Sequence, residues 1–171
     1  MDAYQNLITR RSIKKYNDTK VSDELLEKIV YAGQCAPTGM NRQETGFVVI
    51  QDEETIQKLS KLNAAVMNST ADPFYGAQAV IVVLVDTKVG STYEYDGALA
   101  MGNLMNAAHA LGVSSCWIHR AREVFDSMEG REMLRQWGFD DTYVGIGNCI
   151  LGYSDVEVEM KPRTSKVVWV K

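Results

Sequence analysis

Val80-Ile81-Val82-Val83-Leu84-Val85 gives the clearest indication of the fold. An uninterrupted run of apolar, mostly β-branched residues favours a strand whose two faces are both covered. Around this run, segments with helical spacing alternate loosely with short apolar strands, among them Phe47–Ile50 and Ser114–Ile118. This order predicts an α+β domain in which helices cover both faces of one sheet, a three-layer α/β/α arrangement.

The composition bounds the class of protein. The chain has 171 residues, of which 46% are hydrophobic and 23% are charged, and this predicts one globular domain over residues 1–171. The formal net charge of −4 argues against nucleic-acid and membrane partners, because both are bound by broad positive patches. The N-terminus lacks the apolar core of a secretory leader, and polar residues interrupt the longest apolar stretch, 97–113. These features predict a cytoplasmic protein.

The three cysteines, Cys35, Cys116 and Cys149, are widely spaced and form no CxxC pair. Their apolar neighbours favour small buried hydrophobic side chains over a disulfide framework or a redox role. The chain also contains only two histidines. We therefore predict that it has no metal centre.

Two segments bear on assembly. The stretch from Tyr95 to Gly112 has helical spacing but almost no charged face, and a helix that is apolar nearly all round has to be buried. In so small a domain this favours burial by a second subunit. The tail, about 156–171, carries the apolar run Val167-Val168-Trp169, which needs a surface on either its own domain or a partner subunit. Between them, Arg122 to Trp137 has the pattern of one more helix.

Three short polar segments could carry chemistry: Arg10-Arg11-Ser12-Ile13-Lys14-Lys15-Tyr16, the turn Ala36–Gln43, and Lys161-Pro162-Arg163. The first follows a short helix, so its cations either complement the helix C-terminus or bind an anion. Each segment alone is typical of a surface loop, but together they predict a site for one small phosphate. His109 and His119 have no visible triad context, and His109 is typical of a core residue. A chain with little acid–base machinery suits a cofactor that carries the reaction itself.

In this order the segments resemble the motifs of the nitroreductase family of FMN-dependent oxidoreductases. The opening cassette is similar to the family's Arg-Arg/His-Ser-x-Arg/Lys motif, and Ala36–Gln43 is similar to its Ala-Pro-Ser-x-x-Asn-x-Gln segment. Asp96-Gly97-Ala98 with Trp117-Ile118 resembles its central helix and following strand, and Gly152-Tyr153 with Lys161-Pro162-Arg163 resembles its closing motif. The chain is short for the family, and the usual Gln-Pro-Trp reads Gln-Glu-Thr in this sequence.

The resemblance implies a nitroreductase-like α+β sandwich with a mixed, mainly antiparallel sheet, which works as an intertwined homodimer with FMN at the interface. It implies that Arg10, Ser12 and Arg163 hold the FMN phosphate, that Arg11 and Lys161 contribute nearby contacts, and that Lys14 approaches the pyrimidine side of the flavin ring. The remaining cofactor contacts would come from near the ring and, for the turn, from the other subunit: Asn68, Ile118, His119, and Pro37, Thr38, Gly39, Asn41, Gln43.

Two functions follow as hypotheses. In the first, the protein is an oxidoreductase that passes a hydride from NADH or NADPH through flavin N5 to a nitroaromatic, a quinone or a similar conjugated small molecule. In the second, it is an FMN-binding sensor or storage protein with little turnover, because a fold by itself does not decide a function. Steady-state oxidation of NAD(P)H with a quinone separates the two.

Overall fold

The computed structural model describes residues 1–171. Its regular elements follow the order helix, helix, strand, helix, strand, helix, strand, helix, helix, strand. In chain order they are α1 Ala3–Thr9, α2 Asp23–Gln34, β1 Thr45–Ile50, α3 Glu53–Val66, β2 Ala79–Asp86, α4 Tyr93–Ala110, β3 Ser114–Ile118, α5 Ala121–Asp126, α6 Met128–Gln136 and β4 Tyr143–Gly152.

The sheet has four strands in the order β1-β2-β4-β3, and every neighbouring pair is antiparallel. Strand β2 lies inside the sheet, and Ala79 through Val85 are all buried. This confirms the prediction made from its apolar run. A single parallel bridge joins Ser12 to Ser115 along the outer edge of β3. The mainly antiparallel sheet is therefore confirmed, and its parallel contribution is this one bridge.

Helices cover both faces of the sheet, which confirms the three-layer α/β/α fold. On one face, α2 and α4 pack against β2 and β4 through a cluster that includes Ile29, Met101 and Leu104. On the other face, α3, α5 and α6 pack on the same strands through a cluster that includes Leu59 and Phe125. Apolar area removed from water on both faces stabilises the layers.

The single helix expected from Arg122 to Trp137 is wrong, because the structure has two helices with a break at Ser127. The backbone of Ser127 is extended (φ −70°, ψ 159°). Its hydroxyl accepts a hydrogen bond from the Gly130 N–H at 3.0 Å and donates one to the Val124 carbonyl at 2.6 Å. One serine thus ends α5 and caps α6, which is a local choice that apolar periodicity does not reveal.

The cysteines divide into two environments. Cys116 and Cys149 are buried in the two cores, as expected, and burial raises the pKa of the Cys149 thiol to about 12. Cys35, by contrast, is exposed at the C-terminal cap of α2, so its prediction as a buried residue is wrong. The cap position places it at the helix end, beyond the apolar stripe that faces the core.

The exposed apolar surface lies mainly at α1, α4 and the tail. Tyr95 and Leu99 on α4 are 73% and 48% exposed, although the opposite side of that helix is fully buried. From Asp155 to Lys171 the chain has no regular structure and every residue is exposed, Trp169 by 81%. Of the two surfaces considered for the tail, its own domain does not cover it. None of the helices combines the length and apolar composition needed to cross a lipid bilayer.

Candidate functional site

The basic cassette lies along the free edge of β3. Helix α1 ends at Thr9, and the chain then runs extended, so that the Ile13 N–H donates to the Ser115 carbonyl at 3.0 Å. Side chains of an extended segment alternate between two sides. Ile13 points into the core, whereas Ser12 and Lys14 are exposed on the other side. The cassette therefore presents a hydroxyl and an ammonium group to the same side.

The two arginines of the cassette differ in their partners. Arg11 donates through Nη1 to the Ile8 and Arg10 carbonyls at 2.8 and 2.7 Å, so it satisfies the end of α1. Arg10 is half-buried, and its Nη1 is buried without an acceptor. A buried cationic donor without a partner is costly, and a phosphate oxygen is a suitable acceptor for it. This orphaned nitrogen shows that the residues present fit an anion such as the FMN phosphate.

His109 lies near the positive charges of the cassette. It is half-buried in the last turn of α4, and its Nε2 lies 2.9 Å from the Thr9 hydroxyl. Burial first, and then the charges of Arg10 and Arg11, lower its pKa. The histidine thus belongs to the packing of α1 on α4, with the cationic cassette close by.

The chain leaves β3 through a strained turn beside the cassette. Ile118 is buried, His119 is exposed, and Arg120 has a left-handed backbone with φ 79°. The fully buried Asn63 of α3 donates through Nδ2 to the His119 carbonyl at 2.8 Å and so orients this peptide. Asn63 was not among the predicted site residues. Its signal in the sequence is a polar residue in helical phase with the core residue Leu59.

The loop after α3 also approaches the cassette. The Lys14 ammonium lies 5.6 Å from the centre of the Tyr75 ring, a cation–π contact. Asn68 begins this loop with φ 50°, and its side chain is exposed. Tyr75 was likewise not predicted. The structure therefore gathers Arg10, Ser12 and Lys14 with the loop that Asn68 begins.

The turn Ala36–Gln43 lies elsewhere, at the start of α4. The Gly39 N–H donates to Asp96 Oδ2 at 3.1 Å, and the Gln43 N–H donates to the Thr38 hydroxyl at 3.0 Å. Met40, Asn41 and Gln43 all have φ 55°. A Cβ at Gly39 would collide with the Thr92 hydroxyl, so this close approach requires glycine.

Helix α4 separates the two groups of predicted residues. The turn is bound to Asp96 near its N-terminus, whereas the cassette side is bound to Asn106 and His109 near its C-terminus. At a rise of 1.5 Å per residue, Asp96 and His109 are about 20 Å apart along the helix. Lys161 and Arg163 lie in the exposed tail and make no hydrogen bond or ion pair with either group. The predicted site residues of the chain therefore lie mainly in two groups at opposite ends of α4.

Comparison with known proteins assigns the family. The model of the nitroreductase family matches residues 7–153. The chain belongs to the nitroreductase family. This match confirms the resemblance to the family; it spans the cassette and the turn and ends before Lys161-Pro162-Arg163.

Among relatives of this nitroreductase-family chain, a candidate NADH dehydrogenase/NAD(P)H nitroreductase from Archaeoglobus fulgidus is 34% identical over 153 residues, which span 86% of this chain and 82% of that protein. An FMN reductase [NAD(P)H] from Bacillus subtilis is 28% identical over 137 residues, 71% of this chain and 55% of that enzyme. The chain thus covers most of the first relative but little more than half of the second.

Solved structures agree with the fold. A nitroreductase with bound FMN from Desulfitobacterium hafniense has a TM-score of 0.87 and 25% identity, with all of both chains covered. An FMN-bound nitroreductase from Bacteroides fragilis has a TM-score of 0.88 at 24% identity, again over all of both chains. The protein therefore has the nitroreductase fold.

It has no group of three or more His, Cys, Asp or Glu side chains placed to hold a metal ion.

Proposed function

We propose that the protein is an FMN-dependent NAD(P)H oxidoreductase. The observation that carries this proposal is the buried Arg10 guanidinium nitrogen without an acceptor, beside the exposed Ser12 and Lys14, in a chain of the nitroreductase family. Relatives described as an FMN reductase [NAD(P)H] and an NADPH-flavin oxidoreductase support the cofactor and the electron donor.

The phosphate end of FMN would be held by the cassette. Arg10 supplies a charged donor, Ser12 a hydroxyl, and the extended chain along β3 keeps both in place. Arg11 is already engaged with the end of α1, so its contribution is to orient the Arg10 peptide. Lys161 and Arg163 of the exposed tail would complete the clamp.

The flavin ring would lie between Lys14, the loop that begins at Asn68 and the turn Ile118–Arg120. Lys14 would place a positive charge near the pyrimidine side of the ring, where negative charge accumulates on reduction. The stretch Ile118–Arg120, whose His119 carbonyl accepts from Asn63, would offer a backbone N–H to the central ring.

We further propose that the single domain, residues 1–171, acts as an intertwined homodimer. Because the cassette and the turn are about 20 Å apart along α4, a two-fold axis through that helix would bring the turn of one copy to the cassette of the other. Pro37, Thr38, Gly39, Asn41 and Gln43 would then reach the cofactor of the second copy. The exposed stripe of α4 and the apolar tail supply the surface for this contact.

Bound FMN would supply the redox chemistry, taking a hydride from NADH or NADPH at N5 and passing electrons to a nitroaromatic, a quinone or a similar conjugated acceptor. The residues of the chain bind the phosphate, orient the ring and stabilise its negative charge. Positioning and electrostatic stabilisation of this kind account for catalysis without a protein general acid.

The test is direct. The purified protein should show flavin absorption bands, release FMN on denaturation, and oxidise NADH or NADPH in the presence of a quinone or a nitroaromatic. A protein that cannot be loaded with FMN would contradict the cofactor assignment. Stoichiometric FMN with negligible turnover on any of these acceptors would contradict the oxidoreductase and favour the sensor or storage hypothesis.

A further inference from the structure

Two buried carboxyl groups meet beneath the turn Ala36–Gln43. Glu44, which follows the turn, and Asp96, in the first turn of α4, are each only 4% exposed. The Asp96 carboxyl acts on Glu44 both as a hydrogen-bond partner and as a neighbouring negative charge. Neither Glu44 oxygen receives a hydrogen bond from another protein donor. Two ionised carboxylates in this position would repel each other, whereas one shared proton makes the contact attractive.

The donors present decide which carboxyl keeps the proton. Asp96 Oδ2 accepts from the Gly39 N–H at 3.1 Å and from the Thr92 hydroxyl at 2.7 Å. These donors favour the ionised form of Asp96, and Glu44 has no equivalent set. Glu44 is therefore the proton carrier of the pair.

The pKa shifts of the two carboxyl groups agree with that assignment. Burial, and then the hydrogen bond with Asp96, raise the pKa of Glu44. Burial opposes ionisation of Asp96, but hydrogen bonds from Glu44, Thr92 and Gly39 outweigh it and lower the pKa of Asp96. The two shifts have opposite signs, as expected for a carboxyl that donates to a carboxylate.

The other charged groups around the pair are few. Arg42 is the cation near both carboxyl groups, and its positive charge lowers the pKa of each. Its guanidinium packs against Gly90. From β2, the Asp86 N–H donates to the Glu44 carbonyl at 3.0 Å, while the Asp86 carboxylate accepts from the Lys88 N–H instead. The backbone of Glu44 is thus fixed to the sheet, and only its side chain responds to protonation.

We propose that Glu44 is a positioning residue: as a protonated carboxyl it donates to Asp96, and the pair holds the Thr38–Gln43 turn in the shape that receives FMN. The inference rests on the proposed function of that turn. Ionisation of Glu44 removes the donor and places a second negative charge beside Asp96, against the Gly39 contact. The turn then loosens, and FMN affinity decreases as the pH rises through the titration of Glu44.

The sign of the effect follows from linkage. A group that binds its proton more tightly in the ordered state stabilises that state at low pH and ceases to do so as the pH rises through its raised pKa. The lowered pKa of Asp96 acts in the opposite direction, at the acidic limit. The turn is therefore most stable between the two titrations, with Asp96 ionised and Glu44 protonated.

The test compares the parent protein with Glu44→Gln, whose amide is a donor at every pH, and with the matched control Glu54→Gln on the exposed side of α3. FMN affinity is measured by flavin fluorescence across the pH range. We expect the dissociation constant of the parent and of Glu54→Gln to rise about fivefold or more with pH, a typical coupling between sites. Glu44→Gln should bind FMN tightly with no such rise.

A second readout does not depend on FMN. In apoprotein labelled with ¹³C at glutamate side chains, NMR should show one carboxyl that titrates above the others and is missing from Glu44→Gln. A Glu44 that titrates with the surface glutamates, or an identical pH profile of FMN affinity in Glu44→Gln, overturns this inference alone. Failure to bind FMN at any pH overturns the proposed function, and the role of Glu44 in FMN binding with it.

Discussion

At the scale of single residues, two half-buried arginines have opposite environments. Arg131 donates to the Tyr143 and Asp141 carbonyls at 2.7 and 3.3 Å and pairs with Asp126. Arg10 has a buried guanidinium nitrogen with no acceptor. The first is structural, and the second is available to a ligand.

We expect Arg10→Ala to weaken FMN binding about tenfold or more, since a charge-assisted hydrogen bond to phosphate contributes about 1.5–3 kcal/mol. The free energy of unfolding of the apoprotein should change little, because the buried Arg10 nitrogen makes no hydrogen bond that the substitution could remove. Arg131→Ala should behave in the opposite way and lose stability while FMN affinity is kept. Fluorescence titration and urea denaturation measure the two effects, and equal flavin affinity in both variants would contradict the assignment.

Lys14 allows a second residue-scale prediction, because its ammonium group stands on the exposed side of the cassette near Tyr75. Lys14→Met should retain FMN, since the phosphate contacts remain, but should lower the midpoint potential of the bound flavin. At an effective dielectric constant of about 20, a charge 4 Å away contributes about 4 kcal/mol before screening, and an exposed lysine keeps part of that. The control is Lys15→Met. A redox titration that gives the same potential for Lys14→Met and the parent would remove Lys14 from the site.

At the scale of elements, α3 supports the turn that follows β3. The Asn63 side chain is fully buried, and its Nδ2 donates to the His119 carbonyl at 2.8 Å. Arg120, the next residue, holds a left-handed backbone. A strained turn persists where its surroundings determine it, and here they include the Asn63 amide, the Val124 N–H that donates to the Arg120 carbonyl, and Glu123, which pairs with Arg120.

Asn63→Ala should therefore lower the free energy of unfolding by about 1–3 kcal/mol, because the partly buried His119 carbonyl loses its donor. It should also shift the absorption spectrum of bound FMN, because the His119 peptide is no longer oriented. Gln57→Ala, on the exposed side of the same helix, is the control and should change neither. Unchanged stability and an unchanged spectrum for Asn63→Ala would show that another contact holds the turn.

At the scale of the whole molecule, α4 has one side buried in its own core and one exposed side, which would contact a second copy in the proposed dimer. Leu104 is fully buried within the protomer, whereas Leu99 is 48% and Tyr95 73% exposed. A charge at Leu104 would therefore unfold the protomer and would not test assembly. Leu99 is the informative position.

We expect Leu99→Asp to give a folded monomer that has lost FMN, because a two-fold contact would bury two unpaired carboxylates, each at a cost of several kcal/mol. Met128→Asp, 92% exposed on the opposite layer, should stay dimeric and keep FMN. Sedimentation velocity with detection in the flavin band measures both properties. A folded, monomeric Leu99→Asp that is fully loaded with FMN would contradict the shared site.

The elements whose signals are local could be predicted from the amino-acid sequence. A continuous apolar run predicts β2, and the uncharged stretch predicts α4, because burial on a face imposes a periodicity that composition records. The cassette and the turn were likewise visible as motifs, since phosphate binding and tight turns require particular residue types in order. The sequence did not show the break at Ser127, where one hydroxyl ends a helix and caps the next.

Which of these groups meet depends on the tertiary structure. It separated the turn from the cassette by the length of α4, brought Asn63 to the His119 carbonyl, and placed Glu44 against Asp96. These contacts join residues distant in the chain, and their energies depend on burial and on the donors present, neither of which a local pattern encodes. The residue types of the candidate site could be read from the sequence. Their protonation states, hydrogen-bond partners and separations follow from the packing of helices on the sheet.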